Sequence, residues 1–256
     1  MSHGIRTVAL LSHSGAGKTS LLEALLYRAG ARAQLGRVED GSTASDHTPE
    51  ERERKSSVYT SVHPLSWRGH DFTLLDTPGY ADFVGEIRGA QVAADAAIIL
   101  VSAVSGVAVG TERVWNATES RELNRLIVIN KMDRENADFF RTMADIGATL
   151  PGNIAALHLP IGQAEDFRGL VDLLELKAFA WPAGEPEEIP VPEELRALAE
   201  SYRAKLVEAI VETDDELMMR YLEGEEVEAA VLKDAFYRAV RADLLTARAC
   251  AVTRAG

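Results

Sequence analysis

The stretch SHSGAGKT, residues 12–19, joins two segments of different character. Before it, the apolar run Thr7–Leu11 (TVALL) predicts a short strand that is buried on both faces. After it, leucines recur at helical spacing until Gly30 ends the pattern. A strand, a glycine-containing loop and a helix in this order are the context in which a Walker A pattern predicts a phosphate-binding loop.

Each residue type in this loop has a physical reason to be there. Gly17 lets backbone N–H groups approach phosphate oxygens, and the positive end of the following helix points at them. Lys18 is the predicted catalytic cation for the β- and γ-phosphates, and the Thr19 hydroxyl is a predicted Mg²⁺ ligand. Ser12 stands where the motif has its first glycine, so a small residue is kept. The predicted nucleotide contacts of the loop are Ser12, His13, Ser14, Gly15, Ala16, Gly17, Lys18 and Thr19.

A second motif follows in the segment 71–80, which reads DFTLLDTPGY. An apolar strand that ends in a carboxylate is where such enzymes place a second magnesium-binding side chain, which predicts this role for Asp76. The backbone N–H of Gly79 is expected to face the γ-phosphate, and we predict a catalytic role for it. The predicted contacts from this motif are Asp76, Thr77, Pro78, Gly79 and Tyr80.

A third motif, Asn130-Lys131-Met132-Asp133, comes directly after the apolar run Leu126–Ile129 (LIVI). A carboxylate here can accept hydrogen bonds from both N1–H and the 2-amino group of guanine, and adenine has no such pair of donors. Asp133 is therefore predicted to select GTP over ATP. Asn130 is expected to tie this loop to the phosphate loop, and the Lys131 stem to pack on the base, with Met132 between them.

The alternation of strands and helices predicts the fold class. Apolar runs at 7–11, 96–101 and 126–129 are each followed by a loop and a helical stretch, and 58–67 with 71–75 predicts a hairpin. We expect an α/β protein of the P-loop NTPase type, with a doubly wound, mainly parallel sheet and the phosphate loop at its carboxyl edge. An inserted α+β subdomain is expected after about residue 160.

Composition excludes some classes of function. The chain has 256 residues, 27 Lys+Arg against 40 Asp+Glu, and a net charge of −13. This balance argues against general DNA or anionic-membrane binding, which need a basic surface. The one cysteine, Cys250, allows no internal disulfide, and no apolar stretch is long enough for a membrane helix. We expect a cytoplasmic monomer.

Several segments carry weaker signals. The polar stretch 31–57 is expected to be irregular, and its charge run 50–55 (EERERK) to be solvated. The proline- and glutamate-rich stretch 182–194 is expected to be an exposed loop. Charged amphipathic helices are expected within 194–225 and 227–243. The final residues, TARACAVTRAG, show no clear period and are not expected to form a strand.

The three motifs in this order resemble those of translational GTPases, and further segments resemble the elongation factor G family. The residues that carry this resemblance are 46–61 (DHTPEERERKSSVYTS), which is similar to the first switch, 76–90 (DTPGYADFVGEIRGA), 130–139 (NKMDRENADF), 159–162 (LPIG), 169–179 (GLVDLLELKAF) and 212–226 (ETDDELMMRYLEGEE). Together they cover roughly residues 5–245. The last two lie in an insertion that small GTPases and elongation factor Tu-like proteins lack.

The resemblance implies roles for some residues and puts others in doubt. The family's magnesium-binding switch threonine aligns with Ser57, which keeps the hydroxyl. The family histidine that positions the attacking water is replaced by Tyr80, whose phenol can hydrogen-bond a water but is a poor base, so slow hydrolysis is expected. The family's usual aspartate is replaced by Gly15. The last nucleotide motif, normally Ser-Ala, corresponds at best to Cys250-Ala251.

The resemblance also implies an organisation and a function. Residues 1–159 with 246–256 are expected to form the GTP-binding domain and 160–245 the inserted subdomain, and the family's downstream domains are expected to be absent. We expect binding of GTP or GDP with Mg²⁺ and GTP hydrolysis by a ribosome-associated translation factor. Two alternatives stay open: a GTP-dependent binding switch with little hydrolysis, and a shortened product without independent activity. A shifted reading frame or a junction near residue 246 is one explanation of the unusual tail.

Overall fold

The computed structural model describes residues 5–182, 185–225 and 227–250, with the backbone alone for 248–250. Seven strands form the main sheet in the order β2-β3-β1-β4-β5-β11-β6. These strands are β1 (Arg6–Leu11), β2 (Ser61–Trp67), β3 (His70–Asp76), β4 (Ala96–Ser102), β5 (Asn124–Asn130), β6 (Ile154–Ala156) and β11 (Thr246–Cys250). All neighbours are parallel except β2 and β3, which form the expected hairpin.

Helices cover both faces of this sheet, which confirms the expected doubly wound α/β class. They are α1 (Lys18–Arg28), α3 (Val84–Ala93), α4 (Val109–Glu119) and α5 (Phe139–Thr149). Successive strand residues point to opposite faces. Leu10 of β1 therefore packs with Leu22 of α1 on one face, while Leu11 shares the larger core with Ile87 of α3 and Trp115 of α4 on the other.

A second sheet lies between β6 and β11 in the sequence. It is antiparallel, with the order β10-β9-β8-β7, and three helices follow it along the chain. Its strands are β7 (His158–Ile161), β8 (Gly169–Asp172), β9 (Lys177–Ala180) and β10 (Glu187–Ile189), and the helices are α6 (Glu193–Val211), α7 (Asp215–Leu222) and α8 (Ala229–Arg241). Leu159 of β7 and Leu206 of α6 belong to the same core as Ile127 of β5. This part of the chain is therefore packed onto the main sheet.

Two expectations about segments without a clear pattern are wrong. The stretch 182–194 contains β10, which pairs with β9 at the edge of the second sheet. The prolines flank this strand, and an edge strand tolerates such neighbours because one side of its backbone needs no partner. Residues 246–250 form β11 in the main sheet, where Ala247 pairs with Leu126 and Ile154 is the partner of Thr246. The position between two strands outweighs the weak strand propensity of TARAC.

None of the helices in the described residues is both long and apolar enough to cross a membrane.

The buried core of the main sheet is where a substitution is expected to change the free energy of unfolding most. Ile127 is fully buried at the centre of β5.

We expect Ile127→Ala to lower the free energy of unfolding by about 2–5 kcal/mol, because the lost side chain leaves a cavity that close-packed neighbours fill only in part. Val92→Ala is the control, since Val92 lies on α3 and is 66 % exposed. Urea denaturation measures both. Equal unfolding midpoints for the two variants would contradict the placement of β5 in the core.

Candidate functional site

The phosphate loop follows β1 and depends on two glycines. Gly15 and Gly17 have φ of 80° and 97°, in the left-handed region that other residues avoid. Gly17 is also the residue before the first turn of α1, and the carbonyl of Gly17 accepts the hydrogen bond of Leu21 N. The loop therefore turns sharply into the helix, with the positive end of α1 at the loop.

Ser12 and His13 attach the start of the loop to the neighbouring elements. The Ser12 hydroxyl donates to the carbonyl of Leu100 in β4 at 2.6 Å. His13 Nδ1 lies 3.1 Å from the hydroxyl of Thr111 in α4. These side-chain contacts hold the loop against β4 and α4.

Lys18 is buried at the first position of α1. Its Nζ donates to the carbonyl of His13 at 3.2 Å, across the concave side of the loop. Burial lowers the pKa of Lys18 to about 8, and the nearby Asp76 acts in the opposite direction. A buried ammonium with one carbonyl partner is poorly solvated, so an anion in the loop would stabilise its charged form.

Asp76 lies at the carboxyl end of β3, with no exposure to solvent. One of its oxygens, Oδ2, accepts hydrogen bonds from Thr19 at 2.7 Å and from Ser45 at 2.6 Å. The other, Oδ1, is buried without a hydrogen-bond partner. Burial raises the pKa of Asp76, and the hydrogen bonds from Ser45 and Thr19 oppose this rise. A cation or a water at Oδ1 would remove the cost of the unpaired oxygen.

Ser57 brings the first-switch segment (residues 46–61) to the phosphate loop. Its hydroxyl lies 3.3 Å from that of Thr19 and donates to Asp46 at 2.8 Å. Asp46 is itself buried, and burial raises its pKa while the hydrogen bond from Ser57 opposes the rise. Two hydroxyls and the carboxylate of Asp76 therefore meet at one point, which is the oxygen-rich arrangement that Mg²⁺ prefers.

The charge run within this segment is helical and not irregular, which corrects the expectation from sequence, while all its residues except Glu51 are exposed, as expected of a solvated run. Residues Pro49–Arg54 form helix α2. Thr48 and Glu51 form a capping box, in which Glu51 N donates to the Thr48 hydroxyl at 3.2 Å and Thr48 N donates to the Glu51 carboxylate at 3.1 Å. Glu51 is buried and also accepts from Val58 N and Tyr59 N. The pattern T-x-x-E, with proline after the threonine, was the signal for this helix.

Gly79 touches the phosphate loop closely. A Cβ added at this position would lie 2.6 Å from Ser14 N and 2.7 Å from Lys18 Nζ, so only glycine fits. Thr77 holds the same segment against β1, because its hydroxyl donates to the carbonyl of Leu10 at 2.7 Å. Pro78 is buried, and Tyr80 is 48 % exposed with its side chain at the rim of the cleft.

The third motif meets the phosphate loop from the other side. The Asn130 side-chain amide donates to the carbonyl of Ala16 at 2.9 Å. Lys131 has a left-handed φ of 65°, which turns the chain at the end of β5, and Met132 is fully buried beneath the turn. The Asp133 Oδ1 atom is buried and has no hydrogen-bond partner. An acceptor of this kind fits the paired donors of a guanine base.

The last predicted motif falls only partly within the described chain. Cys250 is the final residue of β11 and pairs with Ile129, immediately before Asn130. Since parallel strands end at the same edge, the backbone of Cys250 lies beside the third motif. Ala251 lies outside the described residues.

These elements enclose a cleft of about 320 Å³. Among the predicted site residues, those that line it are Ser14, Gly15, Gly17, Lys18, Thr19, Ser57, Thr77, Gly79, Tyr80 and Lys131. The other predicted residues within the described chain do not line the cleft, and these are Ser12, His13, Ala16, Asp76, Pro78, Asn130, Met132, Asp133 and Cys250. Sequence reasoning missed further lining residues, which are Ser20, Val38, Glu39, Asp46, Arg54, Lys55, Ser56 and Arg134. It also missed Ser45, whose contact with Asp76 no local pattern indicates.

Comparison with known proteins shows the family to which this chain is similar. The family model of the elongation factor Tu GTP binding domain matches residues 3–244. Proteins named elongation factor G from Thermotoga petrophila and Thermotoga maritima are each 35 % identical over 232 residues, or 90 % of this chain. The chain spans about a third of their length, 33 % and 34 %.

A crystal structure of a protein from Thermus thermophilus is also similar. It superimposes with a TM-score of 0.91 at 48 % sequence identity, and the match covers 97 % of this chain and 37 % of that one. The shared architecture therefore includes the second sheet and its helices as well as the main sheet.

The burial of Lys18 predicts a pH-dependent effect on stability. The pKa of Lys18 falls from 10.5 to about 8 on folding. Protonated Lys18 therefore destabilises the folded state, because the unfolded chain binds the proton more tightly than the folded chain does. The full penalty is present below about pH 8 and disappears as the pH rises towards 10.5. In nucleotide-free buffer, Lys18→Met should stabilise the protein at pH 7 by about 1–3 kcal/mol.

Denaturant unfolding at pH 7 and at pH 10 measures this effect. The gain from Lys18→Met should be smaller at pH 10. Lys205→Met, on the exposed side of α6, should change stability by less than about 1 kcal/mol at either pH. A loss of stability in Lys18→Met at pH 7 would contradict the assignment.

Proposed function

Because the chain belongs to the family of elongation factor GTP-binding domains, we propose that it binds GTP and GDP with Mg²⁺ and hydrolyses GTP. One observation carries the proposal: Asn130 joins the guanine-type loop to the phosphate loop through its 2.9 Å hydrogen bond to Ala16. This bond sets the distance between a base-binding and a phosphate-binding element. The similarity to proteins named elongation factor G favours the role of a GTP-binding domain in a cytoplasmic, ribosome-associated translation factor.

The predicted ligand groups have distinct tasks in this proposal. The loop amides and Lys18 bind the phosphates, and Asp133 accepts from the guanine N1–H and 2-amino groups. Thr19 and Ser57 hold Mg²⁺, with Asp76 close to the metal. The unpaired buried Oδ1 atoms of Asp76 and Asp133 support this assignment, since each gains a partner when the ligand binds.

Magnesium would neutralise phosphate charge during hydrolysis, and this chain's residues would position the reacting groups. Gly79 would direct its backbone N–H at the terminal phosphate, from its close contact with Ser14 and Lys18. Tyr80, at the rim, would contact the attacking water without removing its proton efficiently. Catalysis would then be mostly positioning and charge stabilisation.

We also propose that 1–159 with 246–256 form the GTP-binding domain and 160–245 the inserted subdomain. The return of the chain into the main sheet at β11 supports this division. We propose ribosome association for this chain from the family alone, because the chain spans about a third of the length of the relatives named elongation factor G. We propose a monomeric chain without membrane or DNA partners.

Calorimetric titration with GDP and ADP in magnesium buffer tests the proposed nucleotide site. We expect GDP to bind and ADP not to bind. Asp133→Asn should weaken GDP binding by about 100-fold, because two hydrogen bonds to a charged acceptor are lost. The same variant should gain affinity for xanthosine diphosphate, since an amide can donate to the 2-oxo group.

Glu135→Gln is the matched control, an exposed carboxylate two residues further along the same loop. It should bind GDP as the wild-type protein does. Binding of ADP as tight as that of GDP, or unchanged GDP binding by Asp133→Asn, would show that this loop does not recognise guanine.

A substitution at Tyr80 tests whether this residue limits the rate of the proposed GTP hydrolysis. Single-turnover hydrolysis of GTP by Tyr80→His should be faster than wild type by roughly ten-fold or more, because imidazole positions and deprotonates water better than phenol. Tyr27→His, an exposed tyrosine on α1, should leave the rate unchanged. No gain in Tyr80→His would count against the proposal and favour a binding switch with little hydrolysis. Turnover with and without ribosomes separates that switch from a hydrolysing factor.

A further inference from the structure

Lys55 has an unusual backbone conformation at the end of helix α2. Its φ and ψ are 52° and 41°, in the left-handed region, and its backbone N–H donates to the carbonyl of Glu51. Helices commonly end in this way, but the residue is then usually glycine, because a Cβ makes the conformation costly. Among the described residues, eight other than glycine have a positive φ, and two of these, Lys55 and Lys131, line the cleft.

The surrounding hydrogen bonds hold Lys55 in one place. The Glu51 carboxylate accepts from Thr48 N on one side of the turn and from Val58 N at 3.0 Å on the other. Ser56 N also donates to the carbonyl of Glu51 at 3.2 Å. These contacts close the segment 48–59 around one buried carboxylate, so the direction in which the Lys55 side chain leaves the backbone is fixed.

That direction places Lys55 at the cleft. It lines the cleft together with Ser57, Gly79 and Tyr80, which are the residues at the phosphate end. Ser57, two residues further on, lies 3.3 Å from the Thr19 hydroxyl. Lys55 is exposed, so its side chain is free to move towards a ligand.

The balance of charge at this end favours a further anion-binding cation. Lys18 is buried in the loop, with its pKa lowered by burial. Lys131 of the third motif and Arg134 also line the cleft, and Glu39 and Asp46 are its acidic lining residues. Arg54 and Lys55 are the two cations that the first-switch segment contributes to the lining. GTP carries one more negative charge here than GDP, at the terminal phosphate.

We propose that Lys55 binds the terminal phosphate of GTP, so that the first-switch segment distinguishes GTP from GDP through a charge-assisted contact. This inference rests on the proposed function of the cleft. Glycine at this position would relieve the backbone strain but supply no charge.

Titration of the intact chain with GDP and with a non-hydrolysable GTP analogue, in magnesium buffer, tests the proposal. Lys55→Asn tolerates the left-handed backbone and removes the charge, so it should weaken analogue binding about ten-fold while changing GDP binding less than about two-fold. Lys55→Arg should restore the preference for the analogue. Lys55→Gly should lose the same preference while its melting temperature rises.

The control is Lys205→Met, which removes an exposed cation of α6 that does not line the cleft and should leave the ratio of the two affinities unchanged. An unchanged ratio in Lys55→Asn, or an equal fall in Lys205→Met, would overturn the inference while leaving the proposed function intact. If the wild-type chain binds no GDP at all, the proposed function fails, and the role of Lys55 fails with it.

Discussion

The buried carboxylate of Asp76 is the point on which the phosphate end of the cleft depends. It lies at the end of β3 and accepts hydrogen bonds from Thr19 in the phosphate loop and from Ser45, which precedes the first-switch segment. A buried carboxylate must be paired, and these two hydroxyls satisfy only one oxygen. Two separate segments are therefore held against one fixed strand end, with one acceptor left for a cation or a water.

This arrangement couples the ligand to the first-switch segment. Ser57 donates to Asp46 and lies beside Thr19, so a metal bound there would compete for these hydroxyls. Any change at the terminal phosphate would act on the residues that Glu51 holds together through its backbone hydrogen bonds. Helix α2 and its capping box would move as one unit in response to such a change, because their hydrogen bonds join the residues of the segment.

The proposed base end of the cleft is built differently, on fully buried side chains. Asn130 and Met132 are fully buried, and the amide of Asn130 bonds to the phosphate loop. The main sheet and the second sheet share one core, which includes Ile127 and Leu159. Close packing resists small shifts of the buried side chains, so the proposed base-binding loop is positioned by the packed core and not only by its neighbours in sequence.

Most of the site was predictable from sequence, because the three motifs follow strands whose carboxyl ends meet at one edge. The hydrogen bond of Asn130 and the contact of Gly79 with the loop follow from that geometry. The errors have physical causes. Helix α2 was missed although its capping box is a local pattern, and what sequence does not show is that its one buried carboxylate accepts from backbone donors seven and eight residues away. Strand β11 has weak propensity and forms because β5 and β6 leave a place between them.

The sequence by itself determined the alternation of strands and helices, the three loops and the chemistry expected of each, since these depend on local spacing and residue type. Only the tertiary structure decided which side chains from other segments join the three loops at the cleft. Ser45 meets Asp76 across 31 positions of the chain, and Lys55 reaches the cleft because Glu51 closes a turn around itself. Burial removes water as a hydrogen-bond partner, so a buried carboxylate needs partners from distant segments of the chain. No local sequence pattern shows which segments these are.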